Sequence, residues 1–150
     1  MKTKLFTVVG ALVLGACTHV AVNDSGKVEM GAESKLNRVW MLDEWPGFTR
    51  EQLHQAKAEM NFTALPHVSA YMGCNRMMFE ADVSQSSRTE GRLAFGAVAS
   101  TRKLCFDGMA LEQDFGNRIG SFTRYKLEGH RLILQNGQGQ TARFVAQDWD

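Results

Sequence analysis

Hydrophobic and polar positions divide this chain into three stretches. Leu5 to Leu14 is a nearly unbroken apolar run behind Lys2 and Lys4. Thr18 to Lys35 has no aromatic residue and no clean period. From Leu36 onward, short apolar runs alternate with turn residues, the pattern of short strands. Arg38 to Leu42 reads as a strand carrying Trp40, and Trp45-Pro46-Gly47 as a turn. Thr49-Arg50-Glu51-Gln52 has the form of a capping box, so a short helix runs on through Leu53 and Ala56. Met60 to Leu65 is a strand ended by Pro66. Val68 to Phe79 is apolar nearly throughout and reads as one strand, buried on both faces or crossing a barrel interior. Gly73 in its middle permits a bulge or the close approach of another backbone.

Beyond it, Val83 to Gly91 is a polar loop and Arg92 to Ala99 a strand. Asp107 is placed to cap a helix whose Leu111, Phe115 and Ile119 form one stripe. Phe122 to Leu127, His130 to Leu134 and Thr141 to Ala146 form a terminal meander, with turns at Glu128-Gly129 and Asn136-Gly137. About seven strands and two short helices predict an α+β fold. The expected body is a single small domain, residues 36–150, with a mostly antiparallel curved sheet or partial barrel and one or two short helices.

The first stretch has the form of an export signal. Its ten-residue length is too short to span a bilayer core, which takes ~20 residues. It ends Leu14-Gly15-Ala16-Cys17, which resembles the lipobox of bacterial lipoproteins. Residues 1–16 are then a lipoprotein signal peptide, and Cys17 is the lipidation site that receives the diacylglyceryl group and palmitate. An ordinary cleaved signal peptide that happens to contain a cysteine is the alternative. Residues 17–35 read as the lipidated N-terminus and a flexible tether. Thr18, rather than Asp, follows the cysteine. By the lipoprotein sorting pattern, that favours the outer membrane, most naturally its periplasmic side, with surface exposure as the other orientation.

Composition narrows the class further. The full chain has 17 bases and 16 acids, and loss of Lys2 and Lys4 leaves 15 bases against 16 acids. Without a concentrated basic block, a nucleic-acid partner is not expected. The expected partners are the membrane, through the N-terminal lipid, and an envelope protein or small ligand of unspecified identity. Cys74 and Cys105 are the cysteines inside the domain. Export to an oxidising compartment favours a disulfide between them. Two separately buried thiols are the alternative, and a redox-active pair is disfavoured because Cys-x-x-Cys spacing is absent.

Asn75, Arg76, Thr101 and Arg102 lie beside those cysteines. They are a candidate polar binding cluster, since arginine offers a planar fork to carboxylate or phosphate. The competing reading, and the stronger one, is a hydrogen-bond network that pins two strands. His54, His67 and His130 lack metal-ligand spacing. Met72, Met77 and Met78 would suit Cu(I), but methionine more often fills irregular cores. No metal, cofactor or catalytic residue is therefore assigned.

Several motifs in order resemble the META domain family, in its heat-inducible HslJ-like lipoprotein branch. They are Trp40-Met41-Leu42, Gly73-Cys74-Asn75-Arg76, Leu93-x-Phe95, Ser100-Thr101-Arg102-Lys103-Leu104-Cys105, a helix with Glu112-Gln113, and Leu132-x-Leu134. The resemblance covers roughly Leu36 to Gln147. Lys103-Leu104 stands where the family often has Met-Ala, and Met77-Met78-Phe79 where it often has a glycine. The resemblance implies a small mixed, mostly antiparallel domain linked to stress response, antibiotic resistance and motility or secretion traits. It implies no established reaction. The expectation is a non-enzymatic binding or envelope-stress module. The alternatives are a periplasmic inhibitor, such as a lysozyme inhibitor, and an enzyme using Arg76, Arg102, Glu80 or Asp82.

Overall fold

Strict in-out alternation along the strands is the feature from which the architecture follows. In the longest strand, Met77, Phe79 and Ala81 point inward, while Arg76, Met78, Glu80 and Asp82 point to solvent. The computed structural model describes residues 35–149. The export segment and the tether through Ser34, Cys17 included, lie outside the described residues.

The strands are β1 (Val39–Glu44), β2 (Glu59–Ala64), β3 (His67–Tyr71), β4 (Arg76–Gln85), β5 (Glu90–Phe95), β6 (Ala99–Ser100), β7 (Phe122–Glu128), β8 (Arg131–Asn136) and β9 (Thr141–Ala146). All pairings between them are antiparallel. In sheet order β3-β2-β1-β9-β8-β7-β5-β4 they form a ribbon, which the β3–β4 ladder closes into an eight-stranded barrel. Closure removes the long exposed edges that a curved open sheet would leave. The two-residue β6 lies beside β4, on the flank that β5 occupies further along.

The apolar run from Val68 to Phe79 is two strands, not one. β3 and β4 are joined by a tight reversal over Met72 to Asn75, with Gly73 at φ +103°. The reversal itself carries Met72 and Cys74, both buried, so the apolar run continues through it and no extended polar loop separates the strands in sequence. The loop before β5 is correspondingly shorter than expected, because β4 continues to Gln85 and β5 starts at Glu90.

Two helices complete the body. In α1 (Arg50–Gln55) the expected capping box is present: Gln52 N–H donates to Thr49 Oγ1 at 3.3 Å, and Thr49 N–H to Gln52 Oε1 at 2.9 Å. α2 (Met109–Arg118) starts from Gly108 at φ +85°, with no side-chain cap, so Asp107 does not cap it. Its stripe, Leu111 and Phe115, with Ile119 in the following 3-10 turn, is buried in the barrel core. Phe115 packs 5.1 Å from Trp45 and 6.3 Å from Phe79, ring centre to ring centre. Trp45 Nε1 donates to Asp114 Oδ2 at 2.6 Å, and Arg118 bridges that carboxylate and the Pro46 carbonyl. The helix thereby locks onto the turn after β1. The interior is filled by Trp40, Leu42, Met60, Phe62, Phe122, Leu132, Leu134, Phe144 and their neighbours.

Candidate functional site

At the end of the barrel where β3 turns into β4, three segments distant in sequence meet. The contact begins with glycine. A β-carbon on Gly73 would lie 3.1 Å from Gly108 Cα, and one on Gly108 would lie 2.7 Å from the Gly73 carbonyl carbon. Only two residues without side chains allow these backbones to pass so closely, and both have positive φ. The expected close approach at Gly73 is therefore made, against the loop that leads into α2.

A disulfide joins Cys74 to Cys105 across the same junction, with Cα atoms 5.9 Å apart. Next to it, Asn75 is one of two buried polar residues among those described, at 3% exposure. Its side chain uses its whole hydrogen-bonding capacity. Nδ2 donates to Glu112 Oε1 and to the Lys103 carbonyl, each at 3.0 Å. Oδ1 accepts from Lys103 N–H at 2.6 Å and from Thr101 Oγ1 at 2.9 Å. The Asn75 main-chain N–H donates to Glu112 Oε2 at 2.6 Å. Thr101 Oγ1 in turn accepts from Arg76 N–H at 3.2 Å, and Thr101 N–H donates to the Arg76 carbonyl at 3.1 Å.

One asparagine thus ties the hairpin, the Ser100 to Lys103 segment and α2 together. Asn75 and Thr101 are occupied inside the protein. Arg76 and Arg102 sit at the same junction with exposed side chains, and their guanidinium groups make no ion pair with the described residues. A shallow cleft of about 450 Å³ opens beside them, lined by Ser100, Thr101, Arg102, Leu104, Met109 and Glu112. Arg76, Glu80 and Asp82 are not part of that lining.

Glu112, Lys103 and Gly108 are junction members that the sequence reading leaves out. Glu112 is 37 positions from Asn75 and flanks the apolar stripe of α2; in the sequence it is marked only by the family-like Glu112-Gln113 pair, with no sign of a contact to Asn75. Lys103 takes part through its main chain, which any residue type could supply. The remaining candidates scatter. Met72 and Met77 are buried in the core and Met78 is exposed, since consecutive strand residues face opposite ways. His67 Nδ1 lies 3.7 Å from Glu80 on the outer wall, and His54 Nε2 lies 3.4 Å from Asp43. His130 stacks on Trp149. Among the described residues no three His, Cys, Asp or Glu side chains are grouped to hold a metal ion.

A small closed antiparallel barrel, plugged at one end by a helix and stapled there by a disulfide beside a buried asparagine, defines the class. The chain belongs to the META domain family, whose model matches residues 33–149. Its fold is similar to an NMR structure of a protein from Burkholderia xenovorans, with TM-score 0.61 and 22% identity over 84% of this chain and 97% of that one. A second NMR structure is similar at TM-score 0.55 and 18% identity, over 79% of this chain and 97% of that one. At such identities the likeness shows the fold alone. No curated protein matches the sequence.

Proposed function

We propose that this META domain protein is exported, acylated at Cys17 and held at the periplasmic side of the outer membrane, where it acts by binding and not by catalysis. The observation that carries this reading is the internal saturation of the junction. The buried polar side chain best placed for chemistry, Asn75, has its donors and acceptors engaged by Thr101, Lys103 and Glu112. A catalytic group must instead present a lone pair or proton to substrate. What the junction offers outward is two guanidinium groups, Arg76 and Arg102, suited to carboxylate or phosphate recognition. The filled interior also weighs against an enzyme that encloses its substrate within the barrel. An HslJ-like role in envelope stress and antibiotic tolerance fits such a module.

Two measurements test this. Labelled palmitate should enter the wild-type protein and be absent from Cys17→Ser; an unlabelled wild type would refute the anchor. A strain lacking the protein should lose tolerance to heat or novobiocin, and Arg76→Ala/Arg102→Ala should fail to restore it while remaining folded and exported. Full restoration by that variant would remove the binding role assigned to the junction. Inhibition of lysozyme by the purified protein would redirect the reading to an inhibitor.

A further inference from the structure

The most exposed large apolar side chains of the described residues sit together. Phe106 is 106% exposed and Leu104 is 86% exposed, on either side of Cys105. Exposed apolar side chains usually fold back when their loop is free to move. This loop is held at three points: the Cys74–Cys105 bond, the grip of Asn75 on both main-chain groups of Lys103, and the packing of Gly108 on Gly73. With Cys105 turned toward Cys74, its two neighbours stand outward.

The charges around these tips have one dominant sign. Ala99 to Phe106 contains Arg102 and Lys103 and no acid, and Arg76 lies across from Thr101. Of the nearby acids, Glu112 is engaged by Asn75, and Asp107 follows the tip. Protruding apolar side chains next to a pair of bases are the chemistry of an anionic phospholipid interface. The apolar groups enter the boundary between headgroup and acyl chain, and the bases meet phosphate. A protein partner is less favoured, because both side chains project into solvent, Leu104 standing at the edge of the shallow cleft and 86% exposed.

The geometry points to residues 102–106 as a membrane-docking tip that inserts Leu104 and Phe106 into the anionic phospholipid surface. It rests on the proposed anchor only for proximity. The described chain enters at the start of β1, toward the barrel end opposite the junction, because strand register runs from Val39 through Met41 toward Tyr71. Residues 18–34 give a tether of at most about 60 Å. A six-residue strand is only about 20 Å long. The tip can therefore reach the bilayer that holds Cys17. The diacylglyceryl and palmitate chains proposed on Cys17 already hold the protein at the bilayer, so the tip fixes how the barrel sits against that surface and not whether it stays there.

The test is photocrosslinking in intact cells expressing the full chain, with benzoylphenylalanine in place of Phe106 or, as control, of the exposed Thr63 on β2. Full exposure of Phe106 means that its replacement does not disturb packing. The expected product at position 106 is a phospholipid adduct, about tenfold above position 63. Arg102→Glu/Lys103→Glu should lower it by about tenfold. A protein adduct, an absent adduct, or equal lipid adducts at both positions would overturn the proposal. Palmitate on Cys17 without a lipid adduct at 106 sinks the tip alone. A lipid adduct without palmitate sinks the anchor and leaves the tip.

Discussion

Asn75 and Asn136 are the two buried polar side chains of the described protein, and they solve the same problem at different ranges. Each sits at a strand end with its amide fully engaged. Asn136 Oδ1 accepts from Gln138 N–H at 3.0 Å and Gln140 N–H at 2.9 Å, while Nδ2 reaches Gln140 Oε1 at 2.8 Å. All its partners lie within four positions. The partners of the Asn75 side chain on other segments lie 26 to 37 positions away. Ordering a five-residue turn requires little loop closure, whereas gathering three distant segments requires much more. The covalent link stands beside Asn75 and not Asn136, at the site where the entropy to be offset is larger.

The largest effect expected from that difference is on the disulfide. Closing 31 positions of chain stabilises by about 3 to 4 kcal/mol in the loop-entropy model. Cys74→Ala/Cys105→Ala should therefore lower the unfolding free energy in urea by that amount, with a steeper slope, because the unfolded chain without its crosslink exposes more surface. A shift under about 1 kcal/mol would mean that the junction holds its segments without the bond.

Next comes Asn75→Ala. It leaves the Lys103 N–H, the Lys103 carbonyl and the Glu112 carboxylate short of partners at a half-buried site. A cost of about 2 to 3 kcal/mol follows, moderated by water reaching the outer members. Asn75→Asp should be at least as harmful, because it sets a second carboxylate against Glu112. If Asn75→Asp were neutral in chemical unfolding, the inferred donation from Nδ2 to Glu112 would be wrong.

Asn136→Ala should cost less, about 1 kcal/mol, because Gln138 and Gln140 are exposed and their freed N–H groups can turn to solvent. Hydrogen exchange should show the loss confined to the β8–β9 turn. Spreading of the effect to the Cys105 loop would erase the distinction between the two sites.

The same contrast of range governs how much was legible in sequence. The terminal meander and its Asn136-Gly137 turn, the Thr49–Gln52 capping box and the α2 stripe are local patterns, and the structure bears them out. The β3–β4 hairpin does not stand out in the sequence because its turn signals, Gly73 and Asn75, are interleaved with the buried Met72 and Cys74, which carry the apolar run through the turn. Gly108 took the place expected of Asp107 because close passage past Gly73 demands a residue without a β-carbon. At the junction, pairing of Cys74 with Cys105 followed from compartment and count. The part played by Glu112 depends on how α2 lies against the barrel, and no spacing in the chain encodes that contact.

The smallest expected signal discriminates most between the two asparagines. The disulfide and Asn75 hold the same segments, so removing one weakens what the other restrains. In a double-mutant cycle, Asn75→Ala combined with Cys74→Ala/Cys105→Ala should depart from additivity by about 0.5 to 1 kcal/mol, the combined loss being smaller than the sum. Asn136→Ala with the same cysteine pair should add within about 0.3 to 0.5 kcal/mol, since the two share no partner. Chemical unfolding of the single and combined variants supplies both cycles. Equal coupling in both would show that the barrel transmits strain from one asparagine to the other, and the local and long-range asparagines would then be one cooperative unit.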